Sequence, residues 1–590
     1  MEGDAKPYPF IEDASVPPSE LAEYVSEFQN VLANHGTSAA YFAHAGSGTL
    51  HIRPILSLKE ADGIETMHSI ADDVTDLVVE HHGAFSGEHG DGLARTEFNP
   101  KMYGDRLWGA FQELKSTFDP GWRMNPGKVV YVNEETATER GYPDIAADTE
   151  MRENLRYGPS YQSIEPMTTL DFSEEGGFSH LVELCNGCGT CRQTGSGTMC
   201  PTYRASKEEI QTTRGRANML RAAISGDLDE EEIHSDRFQE EVLDFCVGCK
   251  GCQSDCPTGV DLAKLKAEVK HEHHELTGSS VRERLFRDID RYAGVGSTLA
   301  PVSNLVGTVP GARTLMEKLV GIARERPLPT FSRETLTDWY EQRGGAAVPR
   351  ADAEASVVLF PDTYTNYMYP ESGTAAVRVL EAADVHVDVP SSLAPSGRAA
   401  FSSGFLDIAR DRAARNVEWL VDRVDDGWSI LFVEPSDAVM FQDEYRDLLD
   451  GDAVERVASA SYGIFEYVDA TRMDESLVTE TQDETLAYHG HCNQKARGTD
   501  HHAVGVLRRA GYDVDPVDSS CCGMAGSFGY ESEHYDLSMA IGRILFEKID
   551  ASDGSSVAAP GASCRSQLAD RDGQGQPPHP IEKLAEAVET

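Results

Sequence analysis

The run Cys246-Val247-Gly248-Cys249-Lys250-Gly251-Cys252-Gln253-Ser254-Asp255-Cys256-Pro257 sets the reading of the chain. Three cysteines with two residues between neighbours, then a fourth three residues on and followed by proline, is the spacing that wraps one [4Fe-4S] cubane and sends the fourth thiolate to a second cluster. Upstream, Cys185, Cys188 and Cys191 repeat the opening triplet, and eight residues separate them from Cys200-Pro201. The crossover rule places Cys185, Cys188, Cys191 and Cys256 on one cluster, and Cys246, Cys249, Cys252 and Cys200 on the other. Two zinc sites are the competing reading. Zinc draws on pairs of ligands, not on two triplets each closed by Cys-Pro. Clusters of this kind pass one electron at a time, so the paired motif implies a wire between a donor and an acceptor.

Outward from this motif, composition limits what the rest can be. A chain of 590 residues is too long for one core. Its 99 acidic residues against 52 basic ones give a net charge of −47, spread along the sequence and not gathered in a tail. Such a surface is well solvated in a salty cytoplasm, and it lacks the clustered Lys and Arg that phosphate contacts need, so no nucleic-acid partner is expected. No apolar run reaches the roughly 18 residues of a transmembrane helix, and the start has no basic-then-apolar leader pattern. The expected location is the cytoplasm, free or held peripherally at the inner face of the membrane through a partner. In a reducing compartment clustered cysteines serve as metal ligands more readily than as disulfides.

Before the cysteine module, Leu21 to Ala33 reads as an amphipathic helix behind Pro17-Pro18-Ser19, Tyr41 to Pro54 as strand, Gly-rich turn and strand, Ile64 to His81 as a helix, and Phe85 to Leu93 as a Gly-rich loop. His44 and His51 flank the turn, which can fold two strands so that both imidazoles face one point. Glu88 and His89 sit in the loop as Gly87-Glu88-His89-Gly90-Asp91-Gly92. Two histidines and a carboxylate are a common divalent-metal set, although scattered histidines are also ordinary surface and core residues. Adjacent residues on extended backbone point apart, so Glu88 can face a metal while His89 stays free.

After the module, residues 276–350 mix helix with Gly and Pro and show no chemistry. Strand-then-helix patterns follow at Ser356–Phe360, Ser429–Val433, Thr485–His489 and Ser556–Pro560, the mark of an α/β domain. This part holds Cys492, the vicinal pair Cys521-Cys522-Gly523, and Cys564.

These pieces carry three resemblances. The paired cysteine motif resembles bacterial two-cluster ferredoxins. The C-terminal cysteines resemble the Cys-Cys-Gly domain of heterodisulfide reductase and of the electron-transfer subunits of glycolate and glycerol-3-phosphate dehydrogenases. Such domains come in two copies. Here the first copy carries Asp362, then Pro395-Ser396-Gly397-Arg398, then Glu434-Pro435-Ser436-Asp437 where the family has cysteines, so it is expected to survive as scaffold. The second copy would hold a third iron–sulfur cluster, or else a set of redox-active or buried thiols. The stretch 41–131 resembles the C-terminal half of FAD-linked 2-hydroxy-acid dehydrogenases, through His44-Ala45-Gly46 to His51, the loop 87–92, and Met124-Asn125-Pro126-Gly127-Lys128. That resemblance implies a divalent ion, zinc or manganese, on His44, His51 and Glu88, with His89 as general base. Asn125 and Lys128 lie in its cofactor-binding motif. Arg53 and Arg95 are candidates to bind a substrate carboxylate. Ser47 stands where the family usually has Asp.

The fold class expected is multidomain α+β, with an FAD-linked oxidase cap domain (1–135), a linker (136–180), a helical two-cluster ferredoxin module (181–275), a helical connector (276–350) and an α/β Cys-Cys-Gly domain (351–590). The order resembles long fused D-lactate and D-2-hydroxyglutarate dehydrogenases, whose FAD-binding domain would lie before residue 1. It implies FAD supplied by a separate domain or subunit, a small 2-hydroxy acid as substrate, and a quinone or carrier protein as electron acceptor. The alternative is a non-catalytic electron-transfer subunit of a glycolate or glycerol-3-phosphate dehydrogenase complex.

Overall fold

The computed structural model describes residues 4–147, 149–152, 155–157, 161–477, 482–571 and 575–589; part of the expected linker, residues 148, 153–154 and 158–160, lies outside the described residues. The chain forms two compact units, residues 1–163 and 164–590.

In the first unit a four-stranded antiparallel sheet is centred on β4 (Thr49–Leu56), flanked by β1 (Lys6–Pro7), β2 (Asp13–Ser15) and β3 (Ala39–His44). Period-two alternation decides its faces. Leu50, Ile52 and Leu56 are buried, while His51 and Arg53 point to the other side. Helix α1 (Leu21–Asn34) buries Tyr24, Phe28 and Leu32, one residue per turn. Helix α2 (Ala61–Glu80) buries Ile64, Met67, Ile70, Val74 and Leu77 at the same spacing. These side chains and the sheet share one core, each fully buried one contributing roughly 1.5–3 kcal/mol. Register sets the site. Asp13 pairs opposite His51, and His51 opposite Phe42, so the three share a face, with His44 one step along opposite Thr49. The β3–β4 turn needs glycine at 48, where φ is +80° and a Cβ would lie 1.9 Å from the Val16 carbonyl oxygen. Ser47 acts within that turn, donating to the His44 carbonyl. Helix α3 (Asn99–Phe118) behaves differently. It breaks at Gly104, and only Asn99 among its 20 residues is buried.

In the second unit, two parallel sheets repeat one topology. β5 (Ala355–Leu359), β6 (Val385–Asp388), β7 (Ser429–Phe432) and β8 (Ser461–Gly463) lie in the order β6-β5-β7-β8. β9 (Thr485–Tyr488), β10 (Asp513–Pro516) and β11 (Ser556–Ala558) lie in the order β10-β9-β11. The first three strands of each copy are therefore arranged identically. Val357, Leu359, Leu431, Leu486 and Tyr488 meet in one core between them. Parallel strands buried on both faces explain their continuous apolar runs. The cysteine module does not have a core of its own. Leu181, Cys191, Met199, Leu265 and Val269 pack with Phe401, Leu406, Phe441 and Tyr445 of the first copy. Helix α4 (Leu262–Thr277) starts at Asp261, whose carboxylate caps it by accepting from the Ala263 and Lys264 amides. The connector that follows forms α5 (Val281–Arg287), α6 (Ile289–Thr298), α7 (Val302–Leu305) and α8 (Ala312–Val320).

Candidate active site and cluster ligands

The β3–β4 hairpin and the loop after α2 bring the predicted metal donors together. His44 Nε2 lies 3.6 Å from one Glu88 oxygen and His51 Nε2 3.7 Å from the other. One ligand atom from each of the three lies within 4.8 Å of the others, a spacing that a single divalent cation can satisfy. The His44 and His51 rings meet edge to face, and His51 stacks on His89 with centroids 5.3 Å apart. His51 is mostly buried, while His44, Glu88 and His89 are about half exposed, so the donors face an open side.

Two residues that sequence reasoning missed build this site. Asp13, fully buried, accepts from the Glu88 amide at 3.0 Å, the His89 amide at 2.7 Å and the Ser86 hydroxyl at 2.7 Å. These bonds hold its carboxyl below the usual range against the cost of burial, and they fix the loop that carries Glu88 and His89. Glu12 lies 3.4 Å from His89 Nδ1 and accepts from Arg53 Nε at 2.8 Å. Asp13 opens β2, the strand that pairs with His51, and Glu12 immediately precedes it, a placement that periodicity does not reveal.

The predicted substrate arginines are both engaged. Arg53 is paired with Glu12. Arg95 is buried, donates to the Gly90 carbonyl at 2.6 Å and sits 4.0 Å from Asp13, where burial lowers its pKa. Arg95 thus braces the Glu88–His89 loop from within. Asn125 and Lys128 are exposed on a turn held to the body at Val129, whose amide donates to Thr96 and whose carbonyl accepts from Asn99.

In the cysteine module, Cys185, Cys191, Cys200, Cys249 and Cys252 are buried, Cys246 and Cys256 partly so, and Cys188 is exposed. The Thr213 amide donates to Cys200 Sγ at 3.0 Å and the Leu262 amide to Cys252 Sγ at 3.4 Å, the backbone bonds that cluster thiolates receive. Hydrogen bonding with Cys200 lowers the Cys191 thiol to about 6. The structure therefore puts in contact two thiols that the crossover rule assigns to different clusters, and the partition of the eight ligands rests on spacing. Lys250, between Cys249 and Gly251, is buried and pairs with Asp443, with Glu444 at 3.2 Å and with Asp261 at 3.8 Å.

The thiols of the second copy converge from three loops at the carboxyl ends of β9, β10 and β11. Cys521 is hydrogen-bonded with Cys492 and Cys522, and Cys522 with Cys564 and His489. Those bonds lower the Cys522 thiol, while hydrogen bonding and burial raise Cys521 and Cys564. The Gly523 amide donates to Cys521 Sγ at 3.3 Å. Four convergent sulfurs with a backbone donor fit an iron–sulfur centre. The same three loops of the first copy hold carboxylates. Asp362 caps the helix after β5, Ser396 donates to Asp437, and Glu434 accepts from the Ala562 amide at 2.8 Å, tying the copies together. Burial raises Asp362 to about 6 and Glu434 to about 7, and Asp437 well up, with the charge of Asp362 reinforcing the last two.

Family comparisons match these regions. The family "FAD linked oxidases, C-terminal domain" matches residues 1–129, "4Fe-4S dicluster domain" residues 181–260, and "Cysteine-rich domain" residues 486–569. The chain is 25% identical over its full length to the D-2-hydroxyglutarate dehydrogenase of Escherichia coli, and it spans 59% of that protein. The glycolate oxidase iron-sulfur subunit of E. coli is 23% identical over 69% of this chain and 95% of its own length. Glycolate oxidase subunit GlcD of Bacillus subtilis is 32% identical over 21% of this chain and 26% of its own. The chain thus joins, in this order, an FAD-linked oxidase C-terminal domain, a 4Fe-4S dicluster domain and a cysteine-rich domain.

Proposed function

We propose that this protein is the substrate-activating and electron-carrying part of an FAD-linked D-2-hydroxy-acid dehydrogenase, of the D-lactate or D-2-hydroxyglutarate type. The observation that carries the reading is the convergence of His44, His51 and Glu88 with His89 stacked beside them. His44, His51 and Glu88 would hold a divalent cation, which would supply Lewis acidity; FAD would supply the hydride acceptor, and iron–sulfur clusters held by the cysteines would supply one-electron transfer.

The chain's own residues do the rest. His44, His51 and Glu88 orient the α-hydroxy acid by fixing the cation. His89 takes the hydroxyl proton at Nε2, and Glu12 beside Nδ1 sets the tautomer and balances the imidazolium. Asp13 and Arg95 keep the loop in place. FAD comes from a separate domain or subunit. The open side of the site and the unburied helix α3, with Phe118 77% exposed, offer a surface for it. The acceptor is a quinone or a carrier protein.

Metal analysis of the anaerobically purified chain should find a divalent ion besides iron, lost in Glu88→Ala. His89→Gln should slow D-2-hydroxy-acid oxidation by about 10²–10⁴-fold in the reconstituted enzyme while leaving that ion in place. Retention of full activity by His89→Gln would end the assignment.

A further inference from the structure

A cavity of about 790 Å³ in the second unit is lined by residues of both cysteine sites. Its floor carries Cys246 from the dicluster module and Cys492, Cys521 and Cys522 from the second copy. Its walls are mixed: Phe286, Ile289, Leu328, Phe331 and Phe401 line an apolar part, and Lys250, Lys266, Lys270, Glu283, Arg326 and Arg398 are among the charged residues of the rest. The volume is that of a small-molecule site, roughly 300–1,000 Å³. Tyr364 and Tyr530 also line it, and among the described residues neither hydroxyl has a hydrogen-bond partner.

The outer wall is the connector, and it is unlike the rest of the molecule. From Ala293 to Ala312 there is no charged residue, in a chain where 26% are charged. Leu299, Val302, Leu305, Val309, Leu315 and Leu319 are 55–72% exposed. Between Ser280 and Arg326 there are eight Arg and Lys against five acids, and Glu533 and Asp570 from outside the stretch pair with Arg282 and with the buried Arg326, which leaves the region close to neutral in a protein of net −47. Pro301 and Pro310 break the stretch into short helices, and no helix among the described residues is long and apolar enough to cross a membrane. An exposed apolar face in a nearly neutral stretch, too short to span, suits the interface of a bilayer. The inner side of the same helices, through Phe286, Ile289 and Asn304, walls the cavity.

We infer that the connector rests on a membrane and that the cavity behind it binds a lipid-soluble quinone beside the cysteine sites. As an assignment of the electron acceptor this rests on the function proposed above; as a binding site it does not.

The test uses the anaerobically purified full chain with a photoreactive azidoquinone and vesicles of phosphatidylcholine with phosphatidylglycerol. Wild type should float with the vesicles, and mapped label should fall on residues 286–331 or on Tyr364 and Tyr530. Gly307→Phe adds bulk toward Leu328, the one side chain near that position, and should cut labelling about tenfold with flotation unchanged. Leu305→Glu with Leu319→Glu should abolish flotation while leaving labelling by a short-chain soluble analogue intact. Retained cluster absorbance checks the fold of each variant. Label elsewhere, or undiminished in Gly307→Phe, would overturn the site; wild type that does not float would overturn the membrane contact. None of these readouts needs hydroxy-acid turnover, so failure of the dehydrogenase reading would show separately.

Discussion

The two copies in the second unit share strand order and loop positions and differ in what those loops carry. In the second copy Cys492, Cys521, Cys522 and Cys564 converge. In the first, Asp362, Ser396, Glu434 and Asp437 stand at the matching strand ends. Thiolates with backbone donors can hold iron. Three carboxyls buried close together are pushed toward the protonated state and accept from neighbouring backbone amides and serine hydroxyls. The topology places residues at a site, and their side-chain chemistry decides whether the site binds anything. What the first copy does instead is visible at Lys250. A lysine from a cluster-ligand loop is received by Asp443 and Glu444, so the copy without thiols has become the seat of the dicluster module.

The strongest challenge to this contrast is iron content. Cys522→Ser should remove about four irons per chain, measured with acid-labile sulfide, whereas Asp437→Asn should remove none. Iron lost from Asp437→Asn would erase the distinction between the copies. Next comes Lys250→Met, which leaves buried carboxylates facing no lysine. It should cost about 3–5 kcal/mol in anaerobic denaturant unfolding, because breaking a buried pair strands its partner. A cost near zero would mean the first copy does not seat the module.

Asp362→Asn is smaller and depends on pH. The folded carboxyl titrates at about 6, above its ordinary 3.8. Below about pH 4 both states are protonated. From about pH 4 to 6 the unfolded chain releases the proton first, so stability falls with rising pH and stays lower above. The asparagine variant lacks this loss, and relative to wild type it should gain on the order of 2 kcal/mol between pH 4 and pH 8. Equal pH profiles would show that Asp362 is not held protonated. The smallest effect is expected from Ser396→Ala, which removes one neutral donor to Asp437 and should cost about 1 kcal/mol.

Much of the molecule was legible because its signals are local. The cysteine spacings, the alternation of β4 and the apolar turns of α1 and α2 all lie within short windows, and their elements formed where expected. His44, His51 and Glu88 were within reach because a hairpin turn and a Gly-rich loop announce themselves. Glu12 and Asp13 were not. They join the site through antiparallel pairing across 38 residues, Asp13 with His51, which no periodicity encodes. The arginines illustrate a different limit. Composition says that Arg53 and Arg95 can bind a carboxylate, but only packing shows that Glu12 has taken one and that the other is turned inward to Gly90. The connector gave no signal of chemistry because its message is the direction its apolar side chains face.

The shared core of the dicluster module has a further consequence, for recombination. Modules that shuffle freely between genes bring their own interior with them. This one does not. Leu265 and Val269 pack in the core with Phe401 and Phe441, Lys264 reaches Asp447 at 2.8 Å, and the His271 ring is hydrogen-bonded to the Gly404 carbonyl. Cut out as residues 181–275, it would lose half its interior and two ionic anchors, and would be expected to aggregate instead of folding. In this chain the cysteines of the dicluster module and the first copy are therefore one inheritable unit, joined through a common interior.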